Sequence, residues 1–123
     1  MREALEQWPI EIYKLVAEEV YEIVKEIDKR LILEIEDKGI DKEEIEDYRI
    51  IKNNNINSAY LSIYGSHSTN GVAKIHSDIL VKRKLNNWYR LYPEKFNNKT
   101  NGVTQRRWLL KANPELADFI TEL

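Results

Sequence analysis

The sequence contains no cysteine, which excludes disulfides, thiolate nucleophiles and cysteine-ligated metal. Histidine is nearly absent: His67 and His76 stand nine positions apart, with no tight spacing to aspartate or glutamate, so no metal site is expected. No stretch approaches the roughly 20 apolar residues of a membrane span, and no basic-then-apolar leader opens the chain. The expectation is a cytoplasmic protein with no membrane partner. A net charge of −2 gives no overall pull on a polyanion. What remains is ordinary for a globular domain, with 42% hydrophobic and 33% charged residues. A chain of 123 residues is one domain's worth, able to bury roughly 65–70% of its unfolded surface. The charge is unevenly spread, with a net of −8 over residues 1–50 and +6 over residues 51–123. Such a split marks either a nucleic-acid face or charges balanced by parts of a larger body. The second reading is preferred.

From Pro9 to about Asp37 the pattern is helical: Tyr13, Val16, Val20, Val24, Ile27, Leu31 and Ile35 share one stripe, and Gly39 ends the run. Glu18, Glu19, Glu22, Lys25, Glu26 and Lys29 fall largely on the solvated face. Asp41 and Glu44 make a capping-box-like start for a short helix through about Tyr48. The asparagines at 53, 54, 55 and 57 read as a polar turn. Beyond them Ala59, Leu61 and Ile63 alternate with Tyr60, Ser62 and Tyr64, which predicts a strand ending at Gly65. A loop follows to Gly71, then a helix from Val72 to about Leu85, and a shorter one over Trp88–Tyr92 before Pro93. Residues 97–102 read as a polar connection. Thr104 is placed to cap a helix carrying Trp108, Leu109 and Leu110. Asn113-Pro114-Glu115 starts a last helix whose stripe of Leu116, Phe119, Ile120 and Leu123 is expected to be buried. That helix shows no stop signal, so the chain reads as truncated there. The fold expected is mainly α with one or two short strands.

Few constellations carry chemistry by themselves. Ser66, His67 and Asp78 do not make a hydrolase set, because adjacent Ser and His side chains rarely converge and no GxSxG elbow exists. The loop Gly65–Gly71 (GSHSTNG) lies where an anion could be cradled, yet it lacks both the P-loop and the dinucleotide pattern. Lys82, Arg83 and Lys84 with Trp88, Tyr89 and Arg90 mix bases with aromatics, as single-strand binders do. Three bases at a helix end also simply complement its dipole. A stand-alone helical binding module using Lys82–Arg90 is therefore the alternative reading.

Three stretches point elsewhere. EALEQWPI (Glu3–Ile10), GSHSTNGVAKIHSDIL (Gly65–Leu80) and PEKFNNKTNGVTQRRWLLKANPELA (Pro93–Ala117) resemble α-1,4-glucan phosphorylases, the glycogen/maltodextrin phosphorylase family, in the same order and with similar separations. The resemblance spans essentially the whole chain and is weakest over residues 32–55. It implies an internal piece of a two-lobe, glycosyltransferase-B type enzyme. Residues 1–96 would close the N-terminal lobe, and 97–123 would cross toward the C-terminal lobe. The enzymes it resembles use inorganic phosphate to release glucose 1-phosphate from α-1,4-glucans, with a pyridoxal phosphate whose 5′-phosphate relays protons.

The family's cofactor lysine and phosphate-gripping residues would lie beyond Leu123, and its sugar-contacting histidine before the EALE motif. No catalytic, cofactor-binding or metal residue is therefore carried over, and the piece alone is expected to be inactive without bound cofactor. By the same resemblance Asn101, in KTNG, is the residue that hydrogen-bonds the glucose 6-hydroxyl, and Val72, in NGVA, borders the same sugar. Ala4 and Glu6 line a neighbouring channel. Gln105 departs from the family's proline. Asp28 and Lys29, with Lys25 in place of an aromatic, stand where animal enzymes keep a glycogen-storage site, which puts such a site in doubt. The implied partners are glucan, phosphate and, through apolar surface left bare, a second copy of the chain. Nucleic acid is not among them.

Overall fold

The computed structural model describes residues 7–122, in which eight α-helices alternate with five short strands. Strand β1 (Gln7–Pro9) leads directly into α1 (Ile10–Val16), and α2 (Glu18–Asp37) follows after a single extended residue, Ala17, at φ −157° and ψ 71°. The expected single helix is thus broken. Tyr13, Val16 and Val20 keep phase across the break, so periodicity alone does not reveal it, and Val16 and Val20 are exposed.

The stop of α2 is the one the sequence announces. Gly39 takes φ +75°, its N–H reaches Glu36 O at 3.0 Å, and Ile40 N–H reaches Ile35 O at 3.4 Å. These paired bonds around a left-handed glycine form a Schellman end, which a Cβ at this position would strain.

Helix α3 (Lys42–Ile45) begins at Asp41, but the Asp41 side chain makes no capping bond. The hairpin of β2 (Ile51–Lys52) and β3 (Asn55–Asn57) turns on Asn53 and Asn54, both at positive φ (52° and 59°). Two left-handed residues in a two-residue loop match the right-handed twist of the strands, and asparagine tolerates that conformation. Strand β1 adds antiparallel to β3, giving the order β1-β3-β2.

The strand expected over residues 59–64 is a helix, α4 (Ser58–Gly65). Asn57 caps it by accepting Tyr60 N–H at 3.1 Å. Ile63 is buried and Tyr60, Leu61 and Tyr64 are half-buried. With apolar residues on successive positions, alternation could not distinguish a strand from a helix packed on more than one side.

Strand β4 (Thr69–Gly71), helix α5 (Lys74–Ile79), a π turn (Leu80–Lys84), helix α6 (Asn86–Leu91) and a 3₁₀ turn (Pro93–Lys95) lead to β5 (Phe96–Asn98). Strands β4 and β5 pair in parallel, Thr69 with Phe96 and Gly71 with Asn98. Helices α7 (Gln105–Ala112) and α8 (Pro114–Thr121) end the described chain. Asn113 caps α8 by accepting Leu116 N–H at 3.1 Å, as expected, whereas Thr104 provides no side-chain cap to α7. The stripe expected to be buried on α8 is open: Leu116, Phe119 and Ile120 are exposed, and Ala117 alone among the helix's described residues is buried.

The core lies between α2, the hairpin, α4 and α6. Leu31, Ile35, Ile50, Ile56 and Trp88 are fully enclosed. The Trp88 ring meets Tyr48, Tyr60 and Tyr92 at centroid distances of 5.8, 5.2 and 6.3 Å. One charge is buried with them. Asp28 accepts Ile50 N–H at 2.7 Å and Ile51 N–H at 3.3 Å on one oxygen, and Arg49 Nη2 at 2.8 Å on the other. Burying a carboxylate is tolerable only with such full pairing. Its phase, four after Val24 and three before Leu31, marks it as part of the buried stripe.

Candidate functional site

Val72 and Asn101, 29 positions apart, are joined where the parallel pair runs out. Past the register of β4 and β5, Lys99 N–H donates to Gly71 O at 3.0 Å and Asn101 N–H donates to Val72 O at 2.9 Å. The two loops thereby form one exposed shelf, with Val72 and Asn101 side by side on it. Among the described residues none hydrogen-bonds the Asn101 side-chain amide, which leaves a donor and an acceptor free for a ligand hydroxyl. Ala4 and Glu6 lie outside the described residues.

The shelf is anchored from two sides. Beneath it, Val72 N–H donates to His76 Nδ1 at 3.2 Å, and the Ser77 hydroxyl lies 2.8 Å from Asn98 Oδ1 and 3.0 Å from Ala73 O. Gly71 packs so closely on Ser77 that a Cβ there would come within 2.7 Å of the Ser77 backbone N and Cα, so only glycine fits. At the far side, Lys95 Nζ donates to Ile63 O at 3.0 Å and Tyr64 O at 2.9 Å, satisfying the last carbonyls of α4 where the loop to β4 begins. Asn97 Nδ2 reaches Ser68 Oγ at 2.7 Å across the strand pair.

Glu34 holds the helices under this anchor. It accepts Tyr92 Oη at 2.6 Å and Tyr64 Oη at 3.1 Å, and pairs with Lys38 at 3.2 Å. Burial opposes its ionisation, but the hydrogen bonds from Tyr92, Lys38 and Tyr64 and the Lys38 charge outweigh it, leaving its pKa below the usual glutamate value. Burial, and then the Glu34 carboxylate, push the Tyr92 phenol well up.

The other sequence-level readings separate in space. His67 and Asp78 are not brought into any group of three metal-ligating side chains among the described residues. Next to the loop Gly65–Gly71, the Val72 N–H is given to His76 and is not offered to an anion. Lys82, Arg83 and Lys84 are exposed on the π turn, but Trp88 is fully enclosed and Tyr89 packs edge-on against Phe96 at 5.7 Å. The bases therefore have no Trp88 ring beside them on which a nucleic-acid base could stack. At the storage-site position Asp28 is consumed by Arg49 and two backbone amides, so its carboxylate is not offered to a ligand. Sequence reasoning missed His76 and Ser77 as supports of the shelf. Their spacing of four and five from Val72 on a helix start is the signal that could have found them.

Comparison with known proteins gives a consistent result. The family model described as carbohydrate phosphorylase matches residues 1–123. The chain is 47% identical over 123 residues to a glycogen phosphorylase of Bacillus subtilis (strain 168), with 99% of this chain covered. It is 41% identical to a maltodextrin phosphorylase of Streptococcus pneumoniae over its full length, and 42% identical to the human liver form of glycogen phosphorylase over 98% of its length. It spans 15% of the length of each of these relatives.

Proposed function

The chain belongs to the carbohydrate phosphorylase family, and from that premise we propose that its Val72–Asn101 shelf holds the terminal glucose of an α-1,4-glucan undergoing phosphorolysis to glucose 1-phosphate. The observation that carries this reading is the bond between Asn101 N–H and Val72 O at 2.9 Å. Two residues expected to touch one sugar are thereby set side by side, and the Asn101 amide is left unengaged. In this role Asn101 donates to or accepts from a sugar hydroxyl, and Val72 supplies an apolar wall. Ala4 and Glu6 belong to the same proposal as channel-lining residues.

The cofactor of the proposed reaction, pyridoxal phosphate, is held as a Schiff base by a lysine. The described residues do not fit that task. Lys95 is the one half-buried lysine among them, and its ammonium is committed to the Ile63 and Tyr64 carbonyls. The chain by itself is therefore proposed to be inactive. Transition-state charge must be stabilised by groups preorganised at the reacting centre, and the proposed cofactor lysine and phosphate site lie outside these residues. The proposed frame is a two-lobe glycosyltransferase-B fold, with residues 1–96 in the first lobe and 97–123 crossing to the second, in a cytoplasmic setting.

The test is Asn101→Ala in a full-length phosphorylase carrying this segment. Losing one hydrogen bond to a neutral hydroxyl is expected to lower kcat/KM by roughly threefold to tenfold. The melting temperature should be unchanged, because the side chain supports nothing in the fold. A lowered melting temperature with normal kinetics would instead make Asn101 a turn residue and remove it from the site.

A further inference from the structure

Val72 is held at both of its peptide planes, and one of the two tethers is a histidine. Its carbonyl, in the plane shared with Ala73, accepts Asn101 N–H at 2.9 Å. Its N–H, in the plane shared with Gly71, donates to His76 Nδ1 at 3.2 Å. Because peptide units are planar, fixing the planes on either side of a residue fixes its φ and ψ, and with them the direction of its side chain. We infer that His76 is a positioning residue of the sugar shelf: through Val72 it sets where Val72 and Asn101 stand. The inference rests on the reading of that shelf as the glucan site.

The chemistry of the tether is specific. An imidazole that accepts at Nδ1 is neutral and carries its proton on Nε2, so the ring acts as a lone-pair holder aimed at one amide. The neighbouring residue supplies the complementary constraint. The Ser77 hydroxyl sits between Ala73 O and Asn98 Oδ1, and Gly71 rests on the Ser77 backbone with no space for a Cβ. The start of α5 therefore grips both arms of the shelf, the 71–73 arm through His76 and the 98–101 arm through Ser77. Asn101 itself hydrogen-bonds neither residue. Its hydrogen-bonded link to His76 runs through Val72, a defined sequence of two bonds that can be cut at one end and read at the other.

The experiment follows amide hydrogen exchange in the 123-residue chain. His76→Leu removes the acceptor. His76→Asn keeps one, since its Oδ1 takes the place of Nδ1. In His76→Leu the amides of Val72 and Asn101 are expected to exchange about threefold to tenfold faster, on the scale of one neutral hydrogen bond. Amides of the enclosed residues Leu31 and Ile35 should keep their rates. In His76→Asn the rates should return toward the original. Where the leucine variant fails to fold, His76→Ala, which likewise carries no acceptor, provides the same comparison.

The functional arm places His76→Leu in a full-length phosphorylase. A fall in kcat/KM of about threefold or more is expected, restored by His76→Asn. Unchanged exchange at Asn101 overturns the inference and leaves the glucan reading standing. Equal acceleration at Leu31 and Ile35 also overturns it, since His76 would then be a general stabiliser. Normal kinetics in Asn101→Ala overturn the glucan reading and the inference with it.

Discussion

In α2, Val24, Leu31 and Ile35 are 3%, 0% and 0% exposed, whereas in α8 Leu116, Phe119 and Ile120, also at helical spacing, are 43%, 62% and 51% exposed. Both helices have the apolar stripe of an amphipathic helix, but the first finds the hairpin, α4 and α6 against it, and the second, among the described residues, packs chiefly on α7. Periodicity states which face of a helix avoids water. It does not state that the surface needed to cover that face lies within the same chain. The difference divides the molecule into a part that closes its own core and a part whose apolar stripe stands exposed.

The sharpest way to break that division is at Trp88. Its ring is fully enclosed among three tyrosines, so Trp88→Ala should cost about 3–5 kcal/mol, read as a shift in the urea unfolding midpoint. A loss under about 1 kcal/mol would mean that the apparent core does not hold the chain together.

Asp28→Asn comes next. It removes the nearer of the two carboxylates paired with Arg49, leaving Glu46 at 3.6 Å, and weakens two backbone hydrogen bonds, at an expected cost of about 2–4 kcal/mol in the same measurement. Arg49 is partly exposed, which places the effect below that of the fully enclosed ring.

Glu34→Gln is smaller and depends on pH. The folded-state pKa of Glu34 lies below its unfolded value. Its contribution is thus fully present above the ordinary glutamate range, at about pH 4.3, and is lost as pH falls through the folded value. Because Glu34 is 38% exposed, solvent screening limits the effect to about 1 kcal/mol or less. The variant should therefore be slightly less stable than the parent at pH 7, with the gap closing on acidification. A gap that widens as pH falls would reverse the sign of the argument.

Phe119→Ala should change the stability of the chain least, by about 0.5 kcal/mol or less, because the ring has little to lose. Its effect belongs to association. We propose that the isolated chain self-associates through Trp108, Leu110, Phe119 and Ile120, and light scattering should show the species shrinking in the variant. A clean monomer for the parent at high concentration would show that the bare face is tolerated in water.

Local signals were legible in the sequence. Gly39 closes α2 and Asn113 opens α8, because each needs only its own few neighbours. The helix at Ser58–Gly65 is not legible, because Ala59, Tyr60, Leu61, Ile63 and Tyr64 are apolar on both faces, so a period of two fits as well as a period of 3.6. The break at Ala17 is announced by no breaker residue in the sequence. For the site, Asn101 and Val72 were named through resemblance to a family. That they share a hydrogen bond could not be read, since parallel pairing leaves no turn residue to announce it.

That parallel pairing also has a kinetic side. Thr69 meets Phe96 across 27 positions, whereas Ile51 meets Ile56 across five. Closing a loop costs about (3/2)RT ln n beyond a constant, which comes to roughly 3 kcal/mol for the longer closure, and no tight turn can nucleate it. The hairpin can form early from its own residues. The shelf can close only after α5 and α6 have brought its two arms together, so in pulse-labelled refolding the Asn101 amide should gain protection among the last.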